Sequence, residues 1–453
     1  MLKRLTLTAC FVLVGFAVFA QTYHIKGTIK GLNNSEVYLV KAFATSNQIV
    51  DTASTDAHGN LLITIKKTWP VGMYRLITLT GQSFDLILNH ENIDFTTTGA
   101  GMKASFHVIH SLENLIYYRY MGVKIPNQKK LKLLRSILKS YPENDPFYQV
   151  LKTQAEKLQS QIHSVAEKLI KEHPNTLAAH FIKFDMPQMI NFDLPPYMQE
   201  LFLKDNYFKG LNLNDSLLLR TDLFTGKIVG YLSLFQSKGM TKVEVEQAFT
   251  PAVDTLLSKT FVNKKLYEFT LNYLVNGFQE FGFHKLLLHI ANIEKLSQFY
   301  DDSPQVRDLE SKLYAIRTLA PGKIAPDFTA RTLNGKKIKL DKVKADTTLL
   351  VFWASWCPHC SFQLPKLKKY YNPARASHFQ IIGISVDTDK KSVEKAVKQE
   401  GYSWPVIANL KGWDGPIAKL YGVNATPTYV LLDKNKKVIA TPTTVNDLKK
   451  YLK

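Results

Sequence analysis

Leu349-Leu350-Val351-Phe352-Trp353-Ala354-Ser355-Trp356-Cys357-Pro358-His359-Cys360 is the stretch from which the C-terminal part of the chain is read. Its first half is short, apolar, and rich in aromatic and branched side chains, and it stops at Ala354-Ser355, so it reads as a buried strand. Pro358 then suits the first position of a helix, where a missing N–H costs nothing. Cys357 is thereby expected at the helix N-terminus, with Cys360 about one turn further in. Unpaired backbone N–H groups and the helix dipole stabilise a thiolate at such a place.

The chain has 453 residues, enough for about three domains. With 45% apolar and 21% charged residues it has the composition of a globular protein. The first twenty residues read as a signal peptide. Lys3 and Arg4 form a positive start, residues 5–19 an apolar core, and Val18-Phe19-Ala20 a small-residue cleavage site before Gln21. The apolar run is shorter than the ~20 residues of a membrane span, so no stable span is expected after cleavage. Cys10 lies inside that run instead of ending it, which argues against lipoprotein anchoring. The expected location is therefore the periplasm or cell envelope.

Cleavage leaves two cysteines, Cys357 and Cys360. A bridge between them closes a tiny loop and adds little stability, so a redox role explains the pair better than a structural one. The formal charge of +20 falls by two, to +18, when Lys3 and Arg4 are removed. The lysines are scattered in short pairs such as Lys129-Lys130 and Lys336-Lys337, which suits a solvated surface and not a nucleic-acid partner.

Residues 21–105 read as a β-rich domain, a small antiparallel sandwich or barrel. Its strand candidates are residues 24–29, 36–40, 49–53, 61–65, 73–77, 84–88 and 93–95, with turn residues between them. Asp51, Asp56 and His58 are expected to cap turns and not to bind metal. From 106 to 318 the period becomes helical: Pro146–Glu172 reads as one amphipathic helix, and 243–261, 264–281 and 284–300 as further ones. Tyr117, Tyr118, Tyr120, Phe181 and Phe184 are expected to pack between helices and not to line a groove. His107 and His110 have no evident third ligand.

Residues 319–453 form the last domain. Asn334-Gly335 marks a hairpin. The strand at 348–354, the cysteine helix, a strand at 380–386, a helix at 389–399, a strand at 405–408, a helix at 416–421 and a hairpin of 426–433 with 438–440 come after it. This order implies a mixed sheet with helices on both faces.

Trp356-Cys357-Pro358-His359-Cys360, with Ala425-Thr426-Pro427-Thr428 downstream, resembles a thioredoxin-fold disulfide oxidoreductase. Ala325-Pro326-Asp327-Phe328 and the Asn-Gly hairpin narrow the resemblance to the secreted TlpA/ResA-like branch. The order of features at 21–105 resembles the uncharacterised β-rich domain found ahead of such domains. The implied fold is multidomain: a β-sandwich-like N-terminal domain, an all-α middle region and a C-terminal α/β thioredoxin fold. The resemblance implies that Cys357 is the exposed nucleophile, that Cys360 resolves the mixed disulfide, and that the two form the redox disulfide. It implies that Pro427 is the cis-proline beside the dithiol, that Trp356, Pro358 and Thr426 face substrate, and that Phe352 and Trp353 are core. Protein thiols and disulfides and a membrane-linked electron donor are the implied partners, with no cofactor and no metal.

Three positions depart from the family pattern. A buried Asp is usual where Val351 stands, and a Glu where Gln363 stands. Both carboxylates would deprotonate the buried thiol, so Cys360 lacks an obvious base; Asp387 is a substitute on strand position alone. His359 between the cysteines is expected to stabilise the Cys357 thiolate and make the disulfide more oxidising. The branch resemblance favours a reductase or isomerase, whereas Pro358-His359 favours an oxidant. Other readings are a peroxiredoxin-like antioxidant, which would need Thr or Ser where Ala354 stands, and an envelope partner-binding protein with an accessory thioredoxin domain. A zinc site at the cysteines would need a second pair.

Overall fold

The computed structural model describes residues 22–43, 46–293 and 304–452. The signal segment 1–20, with Cys10, lies outside the described residues, as does the end of the helix expected at 284–300. The chain divides into two compact units, one ending at Leu234 and the other beginning at Phe235.

The first unit opens with eight strands: β1 (Tyr23–Lys30), β2 (Glu36–Phe43), β3 (Ser46–Ser54), β4 (Asn60–Ile65), β5 (Gly72–Thr78), β6 (Ser83–Leu88), β7 (Ile93–Thr98) and β8 (His107–His110). They form two four-stranded sheets, β4-β1-β7-β8 and β3-β2-β5-β6. Alternate residues of both sheets turn inward, as the period of two requires. Ile25, Ile63 and Phe95 of one meet Leu39, Leu76 and Phe84 of the other in a single core. Gly27 pairs with Phe95, and a Cβ at Gly27 would lie 2.3 Å from the Phe95 ring, so the absent side chain makes room for that ring.

The expected antiparallel order holds except between β1 and β7, which run parallel. β7 enters this sheet after the chain has passed through the other one, so no tight hairpin fixes its direction. β8 lies past residue 105, where helix was expected. Its four residues are too few to show a period. His107 and His110 both lie on β8 and are exposed, and no metal-binding group of three side chains occurs among the described residues. Asp56 accepts hydrogen bonds from the backbone N–H groups of His58 and Asn60, each at 2.8 Å, and so caps its turn.

Among the described residues six α-helices and a 3-10 turn (Ser216–Arg220) follow: α1 (Met102–Ser105), α2 (Leu112–Leu138), α3 (Pro146–Glu172), α4 (Leu177–Asp185), α5 (Pro196–Asn206) and α6 (Leu223–Ser233). Tyr117, Tyr120, Phe181 and Phe184 are buried, whereas Tyr118 is half-buried with its hydroxyl donating to the Asp85 carbonyl. The buried Glu113 of α2 joins two helices. Its carboxylate accepts from the first N–H groups of α4, Leu177 at 3.1 Å and Ala178 at 2.7 Å, and from Asn89 Nδ2 at 2.6 Å. An anion there meets the positive end of α4 and satisfies donors that have no partner within the helix.

The second unit begins with α7 (Lys242–Thr260), α8 (Lys264–Phe281), α9 (His284–Asn292) and α10 (Pro304–Thr318). The hairpin β9 (Thr329–Arg331) and β10 (Lys337–Lys339) is next. Then come β11 (Thr347–Trp353), α11 (Pro358–Leu367), β12 (Phe379–Ser385), α12 (Lys390–Glu400), β13 (Val406–Ala408), α13 (Pro416–Leu420), β14 (Thr428–Asp433), β15 (Val438–Ala440) and α14 (Val445–Leu448). The main sheet has the order β13-β12-β11-β14-β15. β11 is central, parallel to β12 and antiparallel to β14. This is a thioredoxin-like α/β fold. No helix among the described residues is long and apolar enough to cross a membrane.

Glu113→Ala removes the acceptor of two helix-terminal N–H groups, and a loss of roughly 2 kcal/mol is expected in urea unfolding. A loss below about 0.5 kcal/mol, the size of an ordinary surface change, would show that the cap does not hold α4.

Candidate functional site

Every residue of β11 from Thr348 to Trp353 is buried, because the strand has neighbours on both edges and packing on both faces. The strand therefore presents the Ser355 turn and the two cysteines from a rigid support. Asp387, just past β12, fixes the exit. Its buried carboxylate accepts from Ser355 N at 3.0 Å, Ser355 Oγ at 2.5 Å and Ser385 Oγ at 2.7 Å. Asp387, the possible substitute for the missing base, is held by the Ser355 and Ser385 donors, and it is not among the main groups that act on Cys360. It positions the turn that leads to the cysteines.

Pro358 is the first residue of α11 and Cys357 is its cap. The Cys357 Sγ accepts from the Cys360 N–H at 3.2 Å, in the place a Ser or Asp oxygen usually takes. The same thiol donates to the Thr426 carbonyl at 3.3 Å. The Thr426–Pro427 bond is cis, and the carbonyl that meets the Cys357 sulfur is the one preceding Pro427. Cys357 is only 4% exposed, and Cys360 1%. The first cysteine is therefore less open than expected, because the loop at Thr426 approaches its sulfur.

Burial alone would push the Cys357 thiol up. Hydrogen bonds from the side chains of Cys360 and Thr426 and from the backbone N–H groups of Cys360 and His359 outweigh it and hold the thiol below its ordinary value. Burial, and then the neighbouring Cys357, push the Cys360 thiol well up. The two sulfurs are so driven apart, one toward thiolate and one toward thiol.

His359 is exposed, and what it directs at Cys357 is its backbone N–H. Pro358 is exposed as well, and Thr426 half-buried. Trp356 is 58% exposed and meets Trp413 edge-on, with ring centroids 6.2 Å apart. Trp413 was not singled out in the sequence; an aromatic residue in a glycine-containing loop, Lys411-Gly412-Trp413, was the only signal. Phe352 and Trp353 are buried core.

Val351, where the family has an acid, is buried between Gly383 on β12 and Tyr429 on β14. The strongest influences on Cys360 are burial, Cys357, the Ala354 backbone and Thr426, and no carboxylate is among them. Two phenols feel the Cys360 charge instead, Tyr402 and Tyr429. The Tyr429 hydroxyl is buried with no hydrogen-bond partner among the described residues, as are the indole N–H groups of Trp353 and Trp404. The loop before Pro427 is held from two sides. Tyr421 donates to the Pro326 carbonyl at 2.7 Å. Gly422 has φ near +60°, and a Cβ on it would lie 2.4 Å from Ala315 of α10, so both conformation and close approach require glycine there.

Residues 321–441 match the AhpC/TSA family model, and residues 23–111 match a domain of unknown function, DUF4369. Over 135 residues the chain is 37% identical to thiol-disulfide oxidoreductase ResA of Bacillus thuringiensis subsp. konkukian (strain 97-27), spanning 29% of this chain and 76% of that relative. The chain belongs to the ResA-like thiol-disulfide oxidoreductases. ResA of Geobacillus thermodenitrificans (strain NG80-2) is 30% identical over 137 residues, covering 30% of this chain and 77% of that one. The thioredoxin domain of a Bacteroides vulgatus thiol-disulfide oxidoreductase aligns over 30% of this chain and 99% of its own length, with 27% identity and a TM-score of 0.28. The C-terminal domain is thus a ResA-like disulfide oxidoreductase domain, and DUF4369 corresponds to the β-rich region.

The opposed shifts predict selective chemistry in this ResA-like domain. Iodoacetamide should alkylate Cys357 first, with a half-maximal rate below about pH 8.5, the free-cysteine value. Peptide mapping across a pH series checks this; equal labelling of Cys360 would contradict the assignment of the low thiol to Cys357.

Proposed function

We propose that the chain is a periplasmic or envelope enzyme that reduces or isomerises protein disulfides through Cys357 and Cys360. The observation that carries this reading is the Cys357 sulfur, cap of α11 and 3.3 Å from the carbonyl preceding Pro427. The Cys357 thiolate attacks one sulfur of a substrate disulfide. That bond breaks, the departing sulfur takes a proton, and a Cys357–substrate disulfide forms. Cys360 then gives up its proton and attacks the Cys357 sulfur. The substrate leaves as its second thiol, and Cys357 and Cys360 are left joined as a disulfide. The substrate gains two electrons and two protons, and a membrane-linked dithiol donor returns them to the enzyme. Trp356, Pro358 and Thr426 line the approach, Pro427 seats the substrate strand, and His359 supports the thiolate through its backbone N–H.

The signal segment at 1–20 carries the envelope location in this reading, with domain limits at 105/106 and 318/319. The match to the AhpC/TSA model raises a peroxide-reducing alternative, but Ala354, three residues before Cys357, has no hydroxyl for a peroxide. Insulin reduction tests the main reading. Cys357→Ser is expected to abolish turnover, and Cys360→Ser to accumulate mixed disulfides whose trapped proteins are the partners. Turnover that survives Cys357→Ser overturns the proposal.

The second step is expected to be slow, because burial raises Cys360 and no carboxylate offsets it. Gln363→Glu restores the usual acid, and rapid-mixing kinetics at neutral pH should then show resolution faster by roughly tenfold or more. An unchanged rate would show that the missing acid does not limit the step.

A further inference from the structure

A cavity of about 690 Å³ lies in the first unit, between α2, α6 and the segment after α4. Its size falls within the range of about 300–1,000 Å³ typical of small-molecule sites. Four cations line it: Lys124, Lys132, Arg135 and Lys227. Two carboxylates face them, Asp185 and Asp222, so the lining carries a charge of +2.

Both carboxylates are already engaged. Asp185 is bound by Lys124, and Asp222 by Arg75 at 3.0 Å. Among the described residues, Lys132, Arg135 and Lys227 form no ion pair, and Glu200, whose charge acts on Arg135, is bound by Lys139. Lys227 is the telling one. Among the described residues its ammonium reaches only the Met186 carbonyl, at 3.4 Å, and it lies 5.7 Å and 5.6 Å from the ring centroids of Phe184 and Tyr207. Burial holds its pKa down to about 8, against the pull of Asp185 and with the push of Lys124. An ammonium that has lost water without gaining a full counter-charge is costly. The remaining wall is mixed: Leu131, Ile190, Leu203 and Leu223 supply apolar surface, and Gln128 and Gln159 interrupt it. The Gln188 amide also lines the cavity, and its buried Oε1 has no partner among the described residues.

We propose that this cavity binds an organic anion with one or two negative charges on an apolar body. Lys227 and Arg135 pair with the charged group, and the leucine-rich wall takes the body. The site is independent of the dithiol chemistry and gives the helical part of the first unit a ligand of its own.

Calorimetric titration of the full chain with octanoate, and with the neutral octanamide of similar shape, tests this. Octanoate is expected to bind, and octanamide at least about tenfold more weakly. Lys227→Met keeps the side-chain bulk and removes the desolvated charge. It is expected to leave the unliganded melting temperature unchanged or raise it, while octanoate binding falls about tenfold or more. A merely structural lysine would give the opposite on stability. Arg135→Gln, on a separate helix, is expected to weaken octanoate as well, and it decides the matter if Lys227→Met fails to fold. Equal binding of the two probes, no binding of octanoate, or undiminished binding by the variants overturns the proposal.

Discussion

The sulfur of Cys357 caps α11, and the rest of the site depends on that one hydrogen bond from the Cys360 N–H at 3.2 Å. A helix start offers N–H groups that need an acceptor, and an acceptor gains most when it carries negative charge. Placing a thiol there ties two requirements together. The helix is better capped when the sulfur is ionised, and the sulfur is easier to ionise because it caps the helix. Pro358 assists by starting the helix without adding a donor. The buried strand β11 and the Asp387–Ser355 clasp make the arrangement stiff, so the sulfur cannot drift from the N–H groups that favour its charge.

The same geometry creates the difficulty of the second sulfur. Cys360 is one turn inside the helix, buried, and next to a group that prefers to be negative. Both influences favour the protonated form. When Cys357 is in a mixed disulfide, its charge is gone and one of the two influences is lifted. Burial remains, and here it is not offset by a neighbouring acid. Aromatic residues surround the thiol instead: Trp353 meets Tyr402 edge-on at 5.5 Å, and Tyr402 stacks on Trp404 at 4.6 Å. The hydrogen-bonding groups of this cluster, the Trp353 and Trp404 indoles and the Tyr429 hydroxyl, are neutral. A neutral donor can steady a thiolate once it has formed, but it does not take up the proton as a carboxylate does.

Much of this was legible in the sequence, and all but one of the exceptions share a cause. The order of strands and helices in the C-terminal domain comes from local signals: apolar runs, Asn334-Gly335, and Pro358 after Cys357. All seven strands expected between residues 24 and 95 are present, because alternation and turn residues are local as well. What the sequence does not contain is partnership across distance. The parallel pairing of β1 with β7, the clasp of Asp387 on Ser355, and the meeting of Trp356 with Trp413 each join residues far apart in the chain; β8 escapes instead because four residues are too few to show a period. Asp387 shows the point most clearly. Its position at the end of a strand is readable from the apolar run before it, yet which neighbour it faces is set by how β12 lies beside β11.

Buried charge is handled in two different ways in this chain. Glu113 and Asp387 are carboxylates taken out of water, and each is met by three donors from the protein itself. Such groups are part of the fold, and their charge is complete without any outside partner. Lys227 and the Cys357 sulfur are different. Lys227 has a single distant carbonyl and two aromatic faces, and the sulfur sits beneath a loop that a substrate must approach. Folding alone gives neither of them an opposite charge. A protein whose net stability is a small difference between large terms tolerates few such groups. Where it has them, the missing interaction is best sought in something that arrives: a disulfide at the sulfur, and an anion at the lysine.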